Sequence, residues 1–383
     1  MTFQRDRTFW AIALQAAAVN FYLGGFGPAQ PLLRSDQNTS LAVGGLHGTA
    51  LGVAAVLAGF ASPRLVHAYG RVRTSWIGLT SFIIGVTMFV FSPPVPLTLS
   101  ATLIAGFGCS VVINTMITRL SARHTSDSAR AVSQGIGIGS FGYILGTLAV
   151  GTLAGTAFSW RLGLMIVVPF TIALYILTKN IGEGIHVPDE GGRQRGKLSF
   201  SFWVAWAGFV TSISSEFATT FWAAALLRDR VGSSAAISTV CVVSLGLGLA
   251  LGRVFGSRVL APIALDNQLK LVILLQSIGF MTFWFSHNLS SSLVALFAIG
   301  LGLAMQFGLI SFRMIVFSEG RPDLAIGTSS LGAGLAIGGA PFLLGLLGDH
   351  FGISRAYLMV PVLIVLTVLT VYLVPTYKKV SAK

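Results

Sequence analysis

Charge is what this sequence has least of. Asp, Glu, Lys and Arg make up only 10% of its 383 residues, whereas soluble domains carry about 25%. A water-facing globular surface is therefore excluded. Cysteine is nearly absent too: Cys109 and Cys241 are the only two, both lie inside apolar runs, and they read as buried thiols with no disulfide framework. The sequence has no His/Cys/Asp/Glu cluster at metal-ligand spacing, no phosphate loop and no nucleophile paired with a base. Gly135-Ile136-Gly137 precedes no strand–helix unit and is no nucleotide fingerprint. No cofactor and no metal are implied, and an enzyme is not expected. The formal charge of +13 would suit nucleic acid if it formed one patch. Instead the basic residues fall in short clusters between apolar runs, which is the pattern that orients membrane proteins, so no nucleic-acid partner is expected.

What the sequence does have is hydrophobicity: 54% apolar residues, a mean hydropathy of +0.81 and 45 glycines. A bilayer-spanning helix needs about 20 predominantly apolar residues. Twelve such runs are present: Phe9–Leu33, Leu41–Ser62, Thr74–Ser92, Leu97–Thr118, Ala131–Gly155, Arg161–Asn180, Phe200–Leu227, Ala235–Gly256, Leu269–His287, Ser291–Phe317, Leu324–Gly348 and Ala356–Tyr377. The basic start Met1–Arg7 leads into the first run without a small-residue cleavage site, so that run is read as a span and not as a signal peptide. Pro93-Pro94-Val95-Pro96 marks a turn. The one longer polar stretch, Gly182–Ser199, divides the chain near its middle. With the amino terminus inside and the spans alternating, the outer segments hold Arg34, Arg161, Arg228, Arg230 and Arg355, and the other 20 of the 25 Lys and Arg fall inside. That bias predicts both termini in the cytoplasm.

Adding 194 to a residue number in the first half finds a matching residue repeatedly and without gaps. Leu32-Leu33-Arg34 maps to Leu226-Leu227-Arg228, and Arg64 to Arg258. Gly85, Phe89, Phe91 and Ser92 map to Gly279, Phe283, Phe285 and Ser286. Gly106, Gly108 and Arg119 map to Gly300, Gly302 and Arg313, Gly151 to Gly345, and Arg161 to Arg355. Glycine matches alone would be weak in so glycine-rich a chain; the arginine matches at one offset are not. Six spans per copy make the copies parallel, related by an axis along the membrane normal. That is a known transporter layout with a substrate site near the midplane between halves. The expected architecture is all-α and integral to the membrane, with twelve transmembrane helices in two six-helix pseudo-repeats. The units are residues 1–181, a cytoplasmic linker at 182–199, and residues 200–383.

With these residues in hand, the sequence resembles the major facilitator superfamily over essentially its whole length. Gly70-Arg71-Val72-Arg73 is similar to the end of that family's basic loop motif between spans two and three. Trp160-Arg161 at the entry to span six, Gly338-Gly339-Ala340-Pro341 with Gly345 in span eleven, and Ser215-Glu216-Phe217 through Leu226-Leu227-Arg228 in span seven are also family-like. There are departures. His67 stands where the family motif has an Asp that latches the cytoplasmic side. Thr102 stands at the span-four position that is Arg in many proton-coupled members. Gly142-Tyr143 replaces the Gly-Pro of the antiporter motif. These weigh against a drug–proton antiporter.

Glu216 is the only acid well inside a span, and no Lys or Arg is expected at that depth. An ionisable residue in the membrane is a functional candidate by default, here for proton coupling or substrate binding. A structural carboxyl bonded between helices is the competing reading. The register equates Glu216 with Tyr22, so the two are expected to face each other across a central cavity lined by Tyr22, Phe26, Glu216 and Trp222. Helical spacing adds Gln15 on span one and Ser212, Thr219 and Thr220 on span seven. Polar groups within spans are costly to leave unpaired in lipid, which marks Asn20, His47, Asn114, Gln134, Gln306 and Ser311. The resemblance implies that spans one, four, seven and ten supply most cavity residues, and so favours Asn114 and Gln306. His47 reads better as a packing histidine and Gln276 as structural. Arg119 and Arg313, repeat-equivalent at the inner ends of spans four and ten, are candidate gating or loop-anchoring residues, and Arg71 joins them through the loop motif. The glycines of span five suit close packing. The sequons at Asn38 and Asn288 carry no inference.

The expected function is that of a secondary transporter moving a small solute by alternating access, with proton coupling through Glu216. Alternatives are an uncoupled facilitator or exchanger, a multidrug antiporter and, in a different class, a non-transporting membrane sensor. A monomer in the cell membrane is expected, with the bilayer, a small-molecule substrate and protons as partners.

Overall fold

The computed structural model describes residues 5–124, 128–179, 181, 197–260 and 262–376, and among them it is helical, with no strand. Ten helical segments are long and apolar enough to cross a membrane. The linker expected at 182–199 and the basic carboxy-terminal tail lie almost wholly outside the described residues.

The first apolar run is broken in two, as α1 (Arg7–Phe26) and α2 (Gln30–Gln37). Pro28 supplies no amide donor at the break, and Pro31 opens the next helix in its first turn, where its missing N–H costs nothing. Asp6 caps α1 by accepting the Phe9 amide at 2.8 Å. α3 (Leu41–Phe91) comprises two expected spans. Gly70, at φ 79° and ψ 162°, reverses the chain within it, a conformation that residues with a Cβ avoid. The arms are residues 41–69 and 71–91, so the loop expected at 63–73 is largely helical. α4 (Val95–Arg123) and α5 (Ser128–Ala154) follow. α6 (Arg161–Met165) and α7 (Val167–Thr178) are one run interrupted near Pro169, whose ring disrupts the preceding turn.

α8 (Phe200–Val231) ends on Gly232, which is left-handed at φ 69°. α9 (Ala235–Cys241) and α10 (Val243–Leu260) form the next run, followed by α11 (Leu265–Phe285) and α12 (Leu289–Val316). α13 (Pro322–Phe351) carries Pro341 inside it. α14 (Ile353–Ala356) and α15 (Met359–Leu373) close the described chain.

Small residues set the closest contacts. α1 lies on α5 so tightly that a Cβ built on Gly146 would fall 1.8 Å from the Phe21 carbonyl oxygen. α3 packs along α4 through its second arm and along α13 through its first, while α10 and α11 both pack on α12. Among the described residues the most extensive crossings between early and late helices are α3 with α13 and α5 with α9 and α10, and α2 also meets α8 and α9. The site lies between these crossings.

Candidate functional site

A cavity of about 160 Å³ lies among α1, α3, α5, α8 and α10, with Leu51 as its α3 residue. From α1 it is lined by Asn20, Leu23, Phe26 and Gly27, and from α8 by Glu216, Phe217, Thr220 and Phe221. Three of these positions are repeat-equivalent pairs: Leu23 with Phe217, Phe26 with Thr220, and Gly27 with Phe221. Ser140 and Tyr143 enter from α5, and Arg253 from α10. Two larger hollows, of about 770 and 800 Å³, lie on outward faces bordered by exposed apolar residues such as Phe351, Val362, Ile77 and Ile84. Neither has an acid in its lining, whereas Glu216 stands in the wall of the small cavity.

Glu216 is 16% exposed, and its Oε1 lies 3.9 Å from Nη2 of Arg253, which is 27% exposed. The other guanidinium nitrogen, Nη1, donates to Ser140 Oγ at 3.1 Å. Arg253 thus reaches from α10 to the acid on α8 and to α5. Asn20, which also lines the cavity, donates Nδ2 to the Ala16 carbonyl of its own helix at 2.8 Å. This overturns the expectation that no Arg lies at the depth of Glu216. Arg253 stands near the end of an apolar run, where a basic residue reads as an orientation signal, but α10 continues beyond it to Leu260.

One end of the cavity is closed. The Phe26 and Phe221 rings meet edge to face with centroids 6.2 Å apart, and Gly27 lies against the Thr220 carbonyl and Phe221. Farther out on that side, Thr239 Oγ1 donates to the Pro28 carbonyl at 3.2 Å. Asp349, at the end of α13, accepts the Leu41 and Ala42 amides at the start of α3, each at 2.7 Å. Trp222 Nε1 donates to the Pro341 carbonyl at 2.8 Å. Moving away from this Asp349 end, the α3–α13 crossing loosens. A Cβ on Gly52 would lie 2.4 Å from the Gly334 oxygen, whereas one on Gly59 would meet only Ser330 Cβ at 3.7 Å.

The residues expected at the site separate into groups. Phe26 and Glu216 line the cavity together, and Asn20 and Thr220 join them. Tyr22 does not face Glu216. It is fully buried in the opposite direction, stacked on Phe26 at 5.1 Å and edge-on to Phe82 at 5.8 Å. Equal register places two residues at the same height but does not fix the rotation of each helix. Trp222 is buried in the α3–α13 seal, away from the lining. Asn114 is exposed on α4, with Ser62 Oγ at 3.5 Å.

Gln306 is fully buried in a network away from the cavity. Its Oε1 accepts Ser212 Oγ at 2.8 Å and its Nε2 donates to Gln276 Oε1 at 2.7 Å, while Gln276 Nε2 donates to Ser215 Oγ at 3.1 Å. His47 is buried between the Val43 carbonyl at 3.3 Å and Thr98 Oγ1 at 3.0 Å. Gln15 accepts Ser75 Oγ and Arg119 Nη1, both at 2.7 Å, and Gln134 accepts Arg5 Nε at 2.7 Å. Thr219 is buried and donates to the Ser215 carbonyl, and Ser311 is half-buried on α12.

The candidate gating arginines sit at the end opposite Asp349. Arg119 ties α4 to α1 through Gln15. Arg313 is buried, pairs with Asp266 and donates to the Val374 carbonyl at 2.8 Å, so it joins α12 to the start of α11 and the end of α15. Asp266 also accepts the Thr376 amide at 2.7 Å. Arg71 is half-buried just after the Gly70 reversal. Arg253, Tyr143 and Asp349 were missed in the sequence. Their signal lay in pairs brought together by tertiary structure, not in any local motif.

A family model described as the Major Facilitator Superfamily matches residues 10–318. Over 139 residues, 35% of the chain, the sequence is 32% identical to Sugar transporter ERD6-like 15 of Arabidopsis thaliana, and the match spans 29% of that protein's length. Both similarities are to membrane transporters and not to enzymes.

Proposed function

This chain belongs to the Major Facilitator Superfamily, and we propose from that premise that it is a secondary transporter moving a small solute by alternating access through the Glu216 cavity. The observation that carries this reading is the cavity itself. It is a small hollow between early and late helices, closed at one end by Phe26 and Phe221, with a partly buried carboxylate in its wall. A carboxylate in such surroundings is expensive unless it has a partner or a task.

Twelve spans follow if the two arms of α3 count separately and the 32-residue α8 is added to the ten segments of sufficient length and hydropathy. The two halves are residues 1–181 and 200–383, joined at 182–199, and the chain acts as a monomer in the cell membrane. The basic bias toward the Arg119 end supports placing that end, and both termini, in the cytoplasm. The cavity would then be closed toward the outside. Phe26 and Glu216 contact the solute and Tyr22 backs Phe26. Arg71, Arg119 and Arg313 hold the helix ends that move when the cavity opens. Asn114, Trp222 and Gln306 act around the site by packing and hydrogen bonding.

Two readings of Glu216 compete. In the first it exchanges a proton during transport. In the second, favoured by the neighbouring Arg253, it keeps a permanent counter-ion and the protein is an uncoupled facilitator or exchanger. A solute identified by thermal stabilisation of purified protein is assayed in liposomes with and without a pH gradient. Under proton coupling, Glu216→Gln abolishes accumulation and retains exchange. Accumulation that persists in this variant rejects the coupling role. Absence of solute movement by the unaltered protein rejects transport.

The relative's printed name is that of a sugar transporter. A neutral, hydrogen-bonding solute agrees with the uncharged polar groups of the cavity, Asn20, Ser140, Tyr143 and Thr220.

A further inference from the structure

Packing does not require an arginine at position 253. The register equates it with Gly59 on α3, where the matching crossing with α13 is made by glycine and small side chains. The α5–α10 crossing instead accommodates a guanidinium that reaches into the cavity. Its Nη1 donates to Ser140 Oγ at 3.1 Å, and its Nη2 lies 3.9 Å from Glu216 Oε1. It is the only cation paired with Glu216 among the described residues. The remaining polar lining, Asn20, Ser140, Tyr143 and Thr220, is uncharged.

The cavity therefore contains one acid and one base in its wall and no further charge. A cationic solute approaching Glu216 would meet a guanidinium already there. An anionic solute approaching Arg253 would meet a carboxylate. In each case binding would strip one resident charge of its partner in a low-dielectric site, the costly outcome for a buried pair. An uncharged solute rich in hydrogen-bonding groups leaves the pair intact.

We infer that Arg253 is a specificity-determining residue: it occupies the place beside Glu216 that a cationic substrate group would take, and so restricts the cavity to electroneutral solutes. The inference rests on the reading of this cavity as the solute site. Discrimination arises here from the resident charge that a wrong solute would displace, not from added contacts to the right one.

The test uses purified full-length protein and thermal unfolding. The probes are methylguanidinium chloride, N-methylurea as its uncharged counterpart, and sodium chloride as the ionic-strength control. Arg253→Ala should acquire saturable stabilisation by methylguanidinium, with a midpoint at least about tenfold lower than any in the unaltered protein. N-methylurea should have no such effect. Arg253→Lys, which keeps a cation, and the double variant Arg253→Ala/Glu216→Gln should show no gain. A reciprocal arm does not depend on the fold of Arg253→Ala: Glu216→Gln frees the guanidinium and should acquire stabilisation by sodium acetate beyond that of sodium chloride. Equal methylguanidinium binding by the unaltered protein and Arg253→Ala would overturn the inference. So would retention of the gain in the double variant, or absence of an acetate effect in Glu216→Gln. These readouts require no transport, so failure here with solute uptake intact rejects the role of Arg253 alone. Failure of uptake with the probe pattern intact rejects the transport reading instead.

Discussion

Removing the Asp349 carboxylate should loosen the closed end of the cavity without unfolding either helix it joins. Its two oxygens accept the Leu41 and Ala42 amides, each at 2.7 Å. α3 has a cap of its own as well, because Ser40 Oγ accepts the Val43 amide at 3.3 Å. Helix integrity is therefore covered locally, and Asp349 contributes to the closure of α13 onto α3. When the helices part, both amides and the exposed carboxylate return to water, so only the net exchange counts. Capping side chains typically contribute ~1 kcal/mol, and a change of that size alters a two-state ratio about fivefold. Asp349→Ala should therefore raise the open-to-closed ratio at this end by about that factor, and Asp349→Asn, which keeps one acceptor oxygen, by less. A suitable reporter is a cysteine at Thr49, whose hydroxyl donates to the Gly338 carbonyl at 2.9 Å inside the crossing, in a chain with Cys109 and Cys241 replaced by Ala. When reclosing outpaces the reaction, maleimide labelling follows the open population, as cleavage of transiently opened states does. A labelling rate in Asp349→Ala equal to that of the parent would refute the latch. A lower melting temperature without faster labelling would assign Asp349 to helix stability instead.

Other perturbations follow from the same geometry. Gly52→Val should arrest the cycle with expression retained, since even a Cβ there lies 2.4 Å from the Gly334 oxygen; Gly59→Ala, with Ser330 Cβ at 3.7 Å, should leave uptake near normal. Asp266→Asn should destabilise the protein by roughly 3–5 kcal/mol, the cost of leaving a buried arginine without its partner, as read by chemical or thermal unfolding in detergent. Gln306→Leu strands Ser212 and Gln276 and should cost about 1–3 kcal/mol; the double variant Gln276→Leu/Gln306→Leu should cost less than the two single losses together.

Much of the helix layout was legible because apolar runs are long and the bilayer dictates their length. The helical segments of sufficient hydropathy overlap the expected runs, although several extend past their ends and Leu41–Phe91 joins two of them, and the breaks at Pro28 and Gly70 follow from backbone chemistry. Glu216 was legible because an acid within an apolar run has few explanations. Its surroundings were not. Tyr22 is fully buried toward Phe82 and Phe89, a rotation set by side-chain packing that a register of 194 does not encode. Arg253 was hidden by its position near a run's end, where the positive-inside bias already explains an arginine. Gln306 and Gln276 illustrate the converse. Polar residues in spans attract functional readings, yet these two satisfy each other within hydrogen-bonding distance.

The asymmetry between the repeat-equivalent crossings is more informative than their likeness. The α3–α13 crossing is built on glycine, with backbones close enough that Gly45 and Gly52 leave no room for a Cβ. It is fastened at one end by Asp349 and Trp222. The α5–α10 crossing holds Ser140 and Arg253 in hydrogen-bonding contact, and there a Cβ on Gly137 would meet Val254 only at 3.7 Å. One crossing is thus a close backbone fastening and the other is the wall of the charged cavity. His67 deepens the asymmetry. The resemblance implies an acid there that latches the Arg119 end, and this chain has none, while Asp349 supplies a carboxylate latch at the opposite end. Under the alternating-access reading, such a distribution would lower the energy of the state closed at the Asp349 end relative to its counterpart. Restoring the acid with His67→Asp while removing Asp349 should therefore shift the resting population toward the state closed at the Arg119 end, and the Thr49 cysteine should label faster than with Asp349→Ala alone. Labelling unchanged by His67→Asp in that background would show that the bias does not depend on the missing acid.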